Sequence, residues 1–176
     1  MPELPEVETT RRGIEPLVLG KQVVQVLIHN AALRWPIPSD LDAILPAQKV
    51  CSVERRSKYL LMNFERGTLV IHLGMTGHLR VCRSGEKRRK HDHVEMLFSD
   101  HTVLRFNDSR RFGAIFWTET NPLLHERLVN LGPEPFEEGF NPTYLFQLSR
   151  KRKVAVKPFI MDARVVVGVG NIYASE

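Results

Sequence analysis

Cysteine is scarce in this sequence: Cys51 and Cys82 are the only two among 176 residues. Two thiols so far apart exclude a disulfide framework and the paired CxxC spacing of a zinc site, and they predict two buried, reduced cysteines. Long apolar runs are missing too, which excludes a transmembrane helix. The N-terminus is acidic, unlike the basic start and apolar stretch of a signal peptide. A cytoplasmic protein with no membrane partner is therefore expected, with a monomer as the default. Composition excludes disorder, since 43% of residues are hydrophobic and 26% charged. A chain of 176 residues holds one good core, or one domain and part of another. The net charge of +5 suggests a polyanionic partner, although many basic proteins bind no nucleic acid.

What the sequence does contain begins with a helical pattern over 5–15, where Val7 and Ile14 share a face that Leu17 and Val18 continue. Pro16 is expected to end or bend this helix, and Gly20 to close the segment. Apolar or β-branched stretches follow at 22–29, 49–53, 58–64, 68–73, 93–99, 102–107 and 113–118. Short strands with turn signals between them predict an antiparallel sandwich or barrel, not a doubly wound sheet. A charged loop over 83–91 interrupts them and is expected to be mobile. Two prolines and a glycine in Leu131-Gly132-Pro133-Glu134-Pro135 signal a linker. Beyond it, 142–153 and 158–164 read as helices, and 171–176 as the opening turn of another. The expected organisation is a sandwich over 1–131, a linker over 132–140 and the beginning of a helical domain over 141–176, cut short inside its last turn.

The chemistry starts at Met1-Pro2-Glu3-Leu4-Pro5-Glu6-Val7-Glu8. A small residue such as Pro2 is the context in which initiator methionine is removed, which leaves the proline ring nitrogen as the α-amine. With a pKa of about 7.7–8.0, part of such an amine is unprotonated and nucleophilic at neutral pH. A secondary amine condenses with an aldehyde-like carbon to an iminium that is cationic without further proton loss. Glu3, one residue away, is in reach as acid or base. The plain alternative is a solvated terminus whose acidic residues complement a helix dipole.

Several interior segments carry a similar pair of readings. Lys58, at a strand's start, either projects into a cleft to hold a phosphate or move a proton, or is an exposed strand-edge lysine. In His72-Leu73-Gly74-Met75-Thr76-Gly77-His78 the glycines permit close backbone approach, and Met75 is either an apolar probe at a loop tip or folded into the core. Asp108-Ser109-Arg110-Arg111-Phe112-Gly113 joins two strands. An exposed Phe112 between arginines suits a wedge in stacked bases, with Arg110 donating to an unpaired cytosine; the alternative is an anchoring phenylalanine. His91-Asp92-His93 offers alternating donors, but no further ligand is placed by sequence, so a phosphate contact from His91 is favoured over a metal. The amides of Gly168-Val169-Gly170-Asn171 form either an anion site or an ordinary glycine turn with an Asn cap.

Taken in order, the stretches 2–8, 55–61, 72–77, 110–113, 131–135 and 167–176 resemble the formamidopyrimidine-DNA glycosylase family of base-excision repair enzymes. The related endonuclease-VIII branch has glycine at the position of Leu4 and lacks this arginine-phenylalanine loop, so the purine-lesion branch fits better. The resemblance implies an α+β fold: an N-terminal helix on an antiparallel β-sandwich, followed by the start of a helical helix–two-turn–helix DNA-binding domain. It implies a bifunctional glycosylase and abasic-site lyase that excises 8-oxoguanine opposite cytosine and formamidopyrimidines from damaged double-stranded DNA. Pro2 would attack C1′ to form a Schiff base, Glu3 would handle the sugar proton, Glu6 would support the site, and Lys58 would donate a proton or grip a phosphate, before β,δ-elimination. Met75, Arg110 and Phe112 would fill the gap left by the flipped lesion. His91, Lys153 and Asn171 would contact the DNA backbone, with Lys157 and Tyr173 nearby. No cofactor or metal is expected in this chain; full-length members of the family carry one structural zinc in a C-terminal four-cysteine finger that this sequence does not include. With that part of the DNA clamp missing, weakened DNA affinity is expected, and a non-catalytic damage-binding or scaffold fragment is the alternative function.

Overall fold

The computed structural model describes residues 1–176. The amphipathic N-terminal segment forms α1 (Leu4–Val18), which buries Leu4, Val7, Ile14 and Val18. Seven apolar stretches become strands as expected, and the structure adds an eighth that the pattern did not give. In order these are β1 (Val23–Ile28), β2 (Val50–Arg56), β3 (Tyr59–Phe64), β4 (Gly67–His72), β5 (His78–Arg83), β6 (Asp92–Phe98), β7 (Thr102–Asn107) and β8 (Ala114–Thr118). They form two antiparallel four-stranded sheets, ordered β1-β6-β7-β5 and β2-β3-β4-β8. Side chains from both sheets and from α1 share one core that includes Val7, Val26, Leu60, Ile71, Met96 and Phe106. This is the sandwich among the two expected alternatives, and the fold is α+β.

Three local expectations are corrected. Pro16 lies inside α1 and does not end it. It sits in the last turn, where few backbone bonds remain to be lost. The amide of Leu19 still donates to the Glu15 carbonyl at 2.9 Å, and Val18 is fully buried. The cysteines are not both buried: Cys51 is exposed and Cys82 partly so. The register of β2 against β3 shifts between Val50 and Ser52, so Val50 and Val53 both point inward and Cys51 faces out on the edge strand. Strand β5 was not anticipated; Leu79 and Val81 alternate inward against the core while His78 and Arg83 are exposed.

A short helix α2 (Leu41–Ile44) caps the core beside β1 through buried Leu41. After β8, a 3₁₀ turn at Pro122–Leu124 leads to the 131–135 stretch and then to α3 (Pro142–Ser149) and α4 (Val156–Met161). Both helices are shorter than their apolar patterns predict. The Tyr144 hydroxyl and the buried side chains of Phe159, Val165 and Val166 hold this segment together as a small second core.

Stretch 131–135 is fixed at both ends of its contacts. Glu134, nearly buried, accepts the Ser57 amide at 2.7 Å, Arg55 Nη1 at 2.7 Å and Arg56 Nη1 at 2.9 Å. Arg56 also donates to the carbonyls of Leu131 and Gly132. The Gly132 amide donates to the Ala163 carbonyl at 2.7 Å, and the Val167 amide to the Pro133 carbonyl at 3.1 Å. These bonds press the last residues of the chain onto the N-terminal helix.

Candidate active site

The N-terminus of α1, the β2–β3 turn and the C-terminal turn converge on Glu3. The Glu3 carboxylate is 2% exposed and accepts the backbone amides of Gly170 at 2.6 Å, Ile172 at 2.8 Å and Tyr173 at 3.3 Å. Of the amides at 168–171, read as either an anion site or a glycine turn, Gly170 takes part, together with Ile172 and Tyr173 just beyond that stretch, and the anion they hold is Glu3. Glycine is needed here for space: a Cβ at Gly170 falls 2.5 Å from the Glu3 carboxyl carbon, and one at Gly168 (φ 83°) 2.5 Å from Leu4 Cβ. The Gly168 carbonyl in turn accepts the Leu4 amide at 3.0 Å.

Lys58 enters the same cluster. It follows Ser57, which has φ 57° and whose amide is held by Glu134, so its direction is set by the turn. Its Nζ donates to the Val169 carbonyl at 3.0 Å, and it is partly buried rather than an exposed edge lysine. Glu6 Oε2 accepts the Glu3 amide at 2.8 Å. Burial pushes the Glu3 carboxyl up, but the amides of Ile172, Gly170 and Tyr173 and the charge of Lys58 outweigh it and leave the pKa lowered. Burial pushes Lys58 down and prevails over the opposing pull of Glu3 and Glu6. The pair is thus a fixed carboxylate beside an ammonium whose proton is loosened. Pro2 stands directly before Glu3, half-buried; while Met1 is attached, its nitrogen is an amide.

Next to the terminus is an open cleft of about 780 Å³, lined by Met1, Arg34, His72, Met75, Arg110 and Phe112 among others. Met75 is 40% and Phe112 44% exposed, so neither is folded into the core. The Arg110 guanidinium lies 4.9 Å from the Phe112 ring centre. Their loops are latched by Asp108, which is fully buried: its carboxylate accepts the Gly113 amide at 2.7 Å, the Arg110 amide at 3.3 Å and the Thr76 hydroxyl. His72 forms part of the cleft wall. Burial, with Arg34 and Lys58 nearby, lowers its pKa to about 4, so it is neutral at pH 7. Its Nδ1 accepts the Gly74 amide at 3.0 Å, which places the remaining proton on Nε2.

The other anticipated residues are more scattered. Asn171 and Tyr173 are at least partly exposed on the turn that cradles Glu3, and the Asn171 side chain makes no hydrogen bond within the chain. His91 (φ 72°) ends the basic loop, and its carbonyl accepts the Asp108 amide at 3.1 Å. His93 instead is buried, with Nε2 2.7 Å from the Asp108 carbonyl. Lys153 is exposed between α3 and α4, and Lys157 on α4 donates to Ser175 Oγ at 2.6 Å; no hydrogen bond joins either to the Glu3 cluster. Sequence reasoning missed Asp108, His72 and Arg34 as parts of the site. Asp108 had a legible signal, an Asx-type turn residue opening a strand-to-strand loop. For Arg34 there was none.

Comparison with known proteins bears on this geometry. Residues 1–115 match the family model described as the formamidopyrimidine-DNA glycosylase N-terminal domain, and residues 131–176 match the formamidopyrimidine-DNA glycosylase H2TH domain. The formamidopyrimidine-DNA glycosylases of Stutzerimonas stutzeri and Methylococcus capsulatus are 57% and 53% identical over all 176 residues. The chain spans 65% of the length of each. Among solved structures, the Lactococcus lactis enzyme bound to DNA with an abasic site superposes with a TM-score of 0.91 at 32% identity, over 99% of this chain and 67% of that one. The same enzyme with N7-benzyl-Fapy-dG DNA gives 0.92 at 32%, over 99% of this chain and 65% of that one. Agreement that runs through both segments, in sequence and in backbone, makes this chain a member of the formamidopyrimidine-DNA glycosylase family.

Proposed function

We propose that this chain carries the chemistry of a bifunctional DNA glycosylase and abasic-site lyase acting on oxidised or ring-opened purines in duplex DNA. The observation that carries the reading is the buried Glu3 carboxylate, fixed by three amides next to Pro2 and electrostatically coupled to Lys58. The relatives' names and the damaged DNA in the Lactococcus complexes support the substrate class.

The chemistry follows from the charges. Once Met1 is removed, the Pro2 nitrogen attacks C1′ while the C1′–N bond to the base breaks and the base leaves with that electron pair. The new ammonium sheds its proton to Glu3, which is ionised and so able to receive it. Glu3 passes the proton to the ring oxygen as the C1′–O4′ bond opens, giving an iminium at C1′. The iminium acidifies C2′–H, so loss of that proton expels the 3′ phosphate, and a second elimination expels the 5′ phosphate. Lys58 protonates a departing oxygen, a role that its loosened proton supports. Flipping the lesion costs roughly a few kcal/mol, and Met75, Phe112 and Arg110 filling the vacated stack offset part of it. Phosphate contacts are assigned to His91, Asn171, Lys153, Lys157 and Tyr173.

The test is borohydride trapping on a duplex with 8-oxoguanine opposite cytosine, beside a duplex with a pre-formed abasic site. A covalent adduct mapping to Pro2 on both is the expected result. An adduct on the abasic duplex alone would remove base release from the proposal. No adduct on either, with Met1 shown by mass spectrometry to be gone, would overturn it.

A further inference from the structure

The loop between β5 and β6 places Lys87, Arg88, Arg89 and Lys90 in a row, all exposed and none in an ion pair or side-chain hydrogen bond. Its backbone, by contrast, is tied down along its length. Arg105 donates from Nη2 to the Glu86 carbonyl at 2.7 Å and from Nη1 to the Lys87 carbonyl at 3.1 Å. The Arg89 amide donates to Asp92 Oδ2 at 2.8 Å, and Asn107 Nδ2 donates to the Lys90 carbonyl at 2.9 Å. All three anchoring side chains belong to buried residues on β6 or β7: Asp92 2%, Arg105 4% and Asn107 8% exposed.

The charged anchors are neutralised by Glu95 and Arg80 on the same sheet. Arg105 Nε pairs with Glu95 at 2.8 Å, Arg80 with Asp92 at 3.2 Å, and Asn107 Nδ2 with Asp92 Oδ1 at 2.8 Å. The network therefore holds the loop by its carbonyls and amides and leaves all four loop cations without a counterion. A loop that only needed solubility would not require its backbone to be fixed by buried charge, because desolvating those charges is costly. The row is also placed. His91 closes it in a left-handed conformation, and the His91 carbonyl accepts the Asp108 amide at the root of the Arg110–Phe112 loop on the cleft wall.

We propose that Arg105, with Asp92 and Asn107, is a positioning residue that presents the 87–90 cations to the DNA backbone at the edge of the cleft. The inference rests on the glycosylase reading for the identity of its polyanion. Arg105→Lys keeps the charge but cannot span Glu95 and two carbonyls, so it separates geometry from net charge.

Duplex binding by this variant and the wild type is measured by fluorescence anisotropy across a salt series, with native-state trypsin digestion in parallel. The expected result is about tenfold weaker binding, a salt slope smaller by about one, and faster cleavage at 87–90. In a Lys87→Ala/Arg88→Ala/Arg89→Ala/Lys90→Ala background the same substitution is expected to change binding by less than about twofold, because the cations it positions are gone. A purely structural role gives the same loss in both backgrounds and overturns the proposal, as does wild-type binding by Arg105→Lys. If Arg105→Lys does not fold, Asn107→Ser, which removes the Lys90 tether, replaces it with the same expectations. A wild type that binds no duplex at all refutes the glycosylase reading instead, while the trypsin comparison still judges the clamp.

Discussion

Glu3 accepts three backbone amides of the C-terminal turn while its own amide is held by Glu6, so one substitution there tests charge and geometry together. Glu3→Gln keeps the shape but turns one acceptor into a donor facing amide donors. Unfolding free energy is expected to fall by roughly 1–3 kcal/mol, the cost of a buried group left unpaired. Adduct trapping is expected to fall by about 10²–10⁴, the usual contribution of a proton-transfer group. The sign of its pH dependence follows from its lowered pKa. Stability from Glu3 is present above the ordinary carboxylate range and lost as pH falls through the folded value, so the wild type loses more on acidification than the variant. His72 behaves in the same direction for the opposite charge. Its folded pKa of about 4 lies below the usual 6.5, so the unfolded chain binds the extra proton between those values and stability drops as pH falls from 6.5 toward 4. His72→Asn keeps an acceptor for the Gly74 amide and has no proton to bind. Its melting temperature is expected to vary less than the wild type's over that window, by an amount corresponding to at most about 3 kcal/mol.

Among the elements, the C-terminal turn depends on glycine for its approach to α1. Gly170→Ala puts a methyl 2.5 Å from the Glu3 carboxyl carbon, so either the turn or the carboxylate must move. A loss of roughly 1–3 kcal/mol is expected, with faster amide exchange at Leu4, Gly170 and Ile172; unchanged exchange at those amides would refute the docking role. The elements themselves were largely legible, because the apolar periodicity of α1 and of seven strands is strong and local. What was not legible depended on partners. Pro16 stays helical because Val18 is fully buried, and Cys51 faces out because a bulge shifts β2 by one position. At the site, the motifs located Glu3, Lys58, Met75, Arg110 and Phe112. They did not reveal that the glycine turn's amides serve Glu3, since residues 3 and 170 meet only through the tertiary fold.

For the molecule as a whole, Glu134 decides whether the sandwich and the helical segment behave as one body. Its carboxylate bridges Arg55, Arg56 and the Ser57 amide, so it fixes at once the turn that aims Lys58 and the stretch that delivers Gly168 and Gly170 to Glu3. Glu134→Ala leaves two partly buried guanidinium groups facing each other without their shared anion. Removing one member of such a pair costs about 3–5 kcal/mol, a large share of the roughly 5–15 kcal/mol that holds a typical domain. Arg11, Glu8 and Glu15 still brace α1 on β2 through the Val53 carbonyl, and the sandwich core is untouched, so the loss falls on the join. Two-state unfolding is therefore expected to split. Near-ultraviolet signals from Trp35 and Trp117 in the sandwich should melt after the amides of Val167 and Gly170 have become exchangeable, whereas in the wild type the two coincide. Coincident loss of both signals in Glu134→Ala would mean that the second core of Phe159, Val165 and Val166 is bound to the sandwich by other contacts, and that Glu134 aims Lys58 without holding the two parts together.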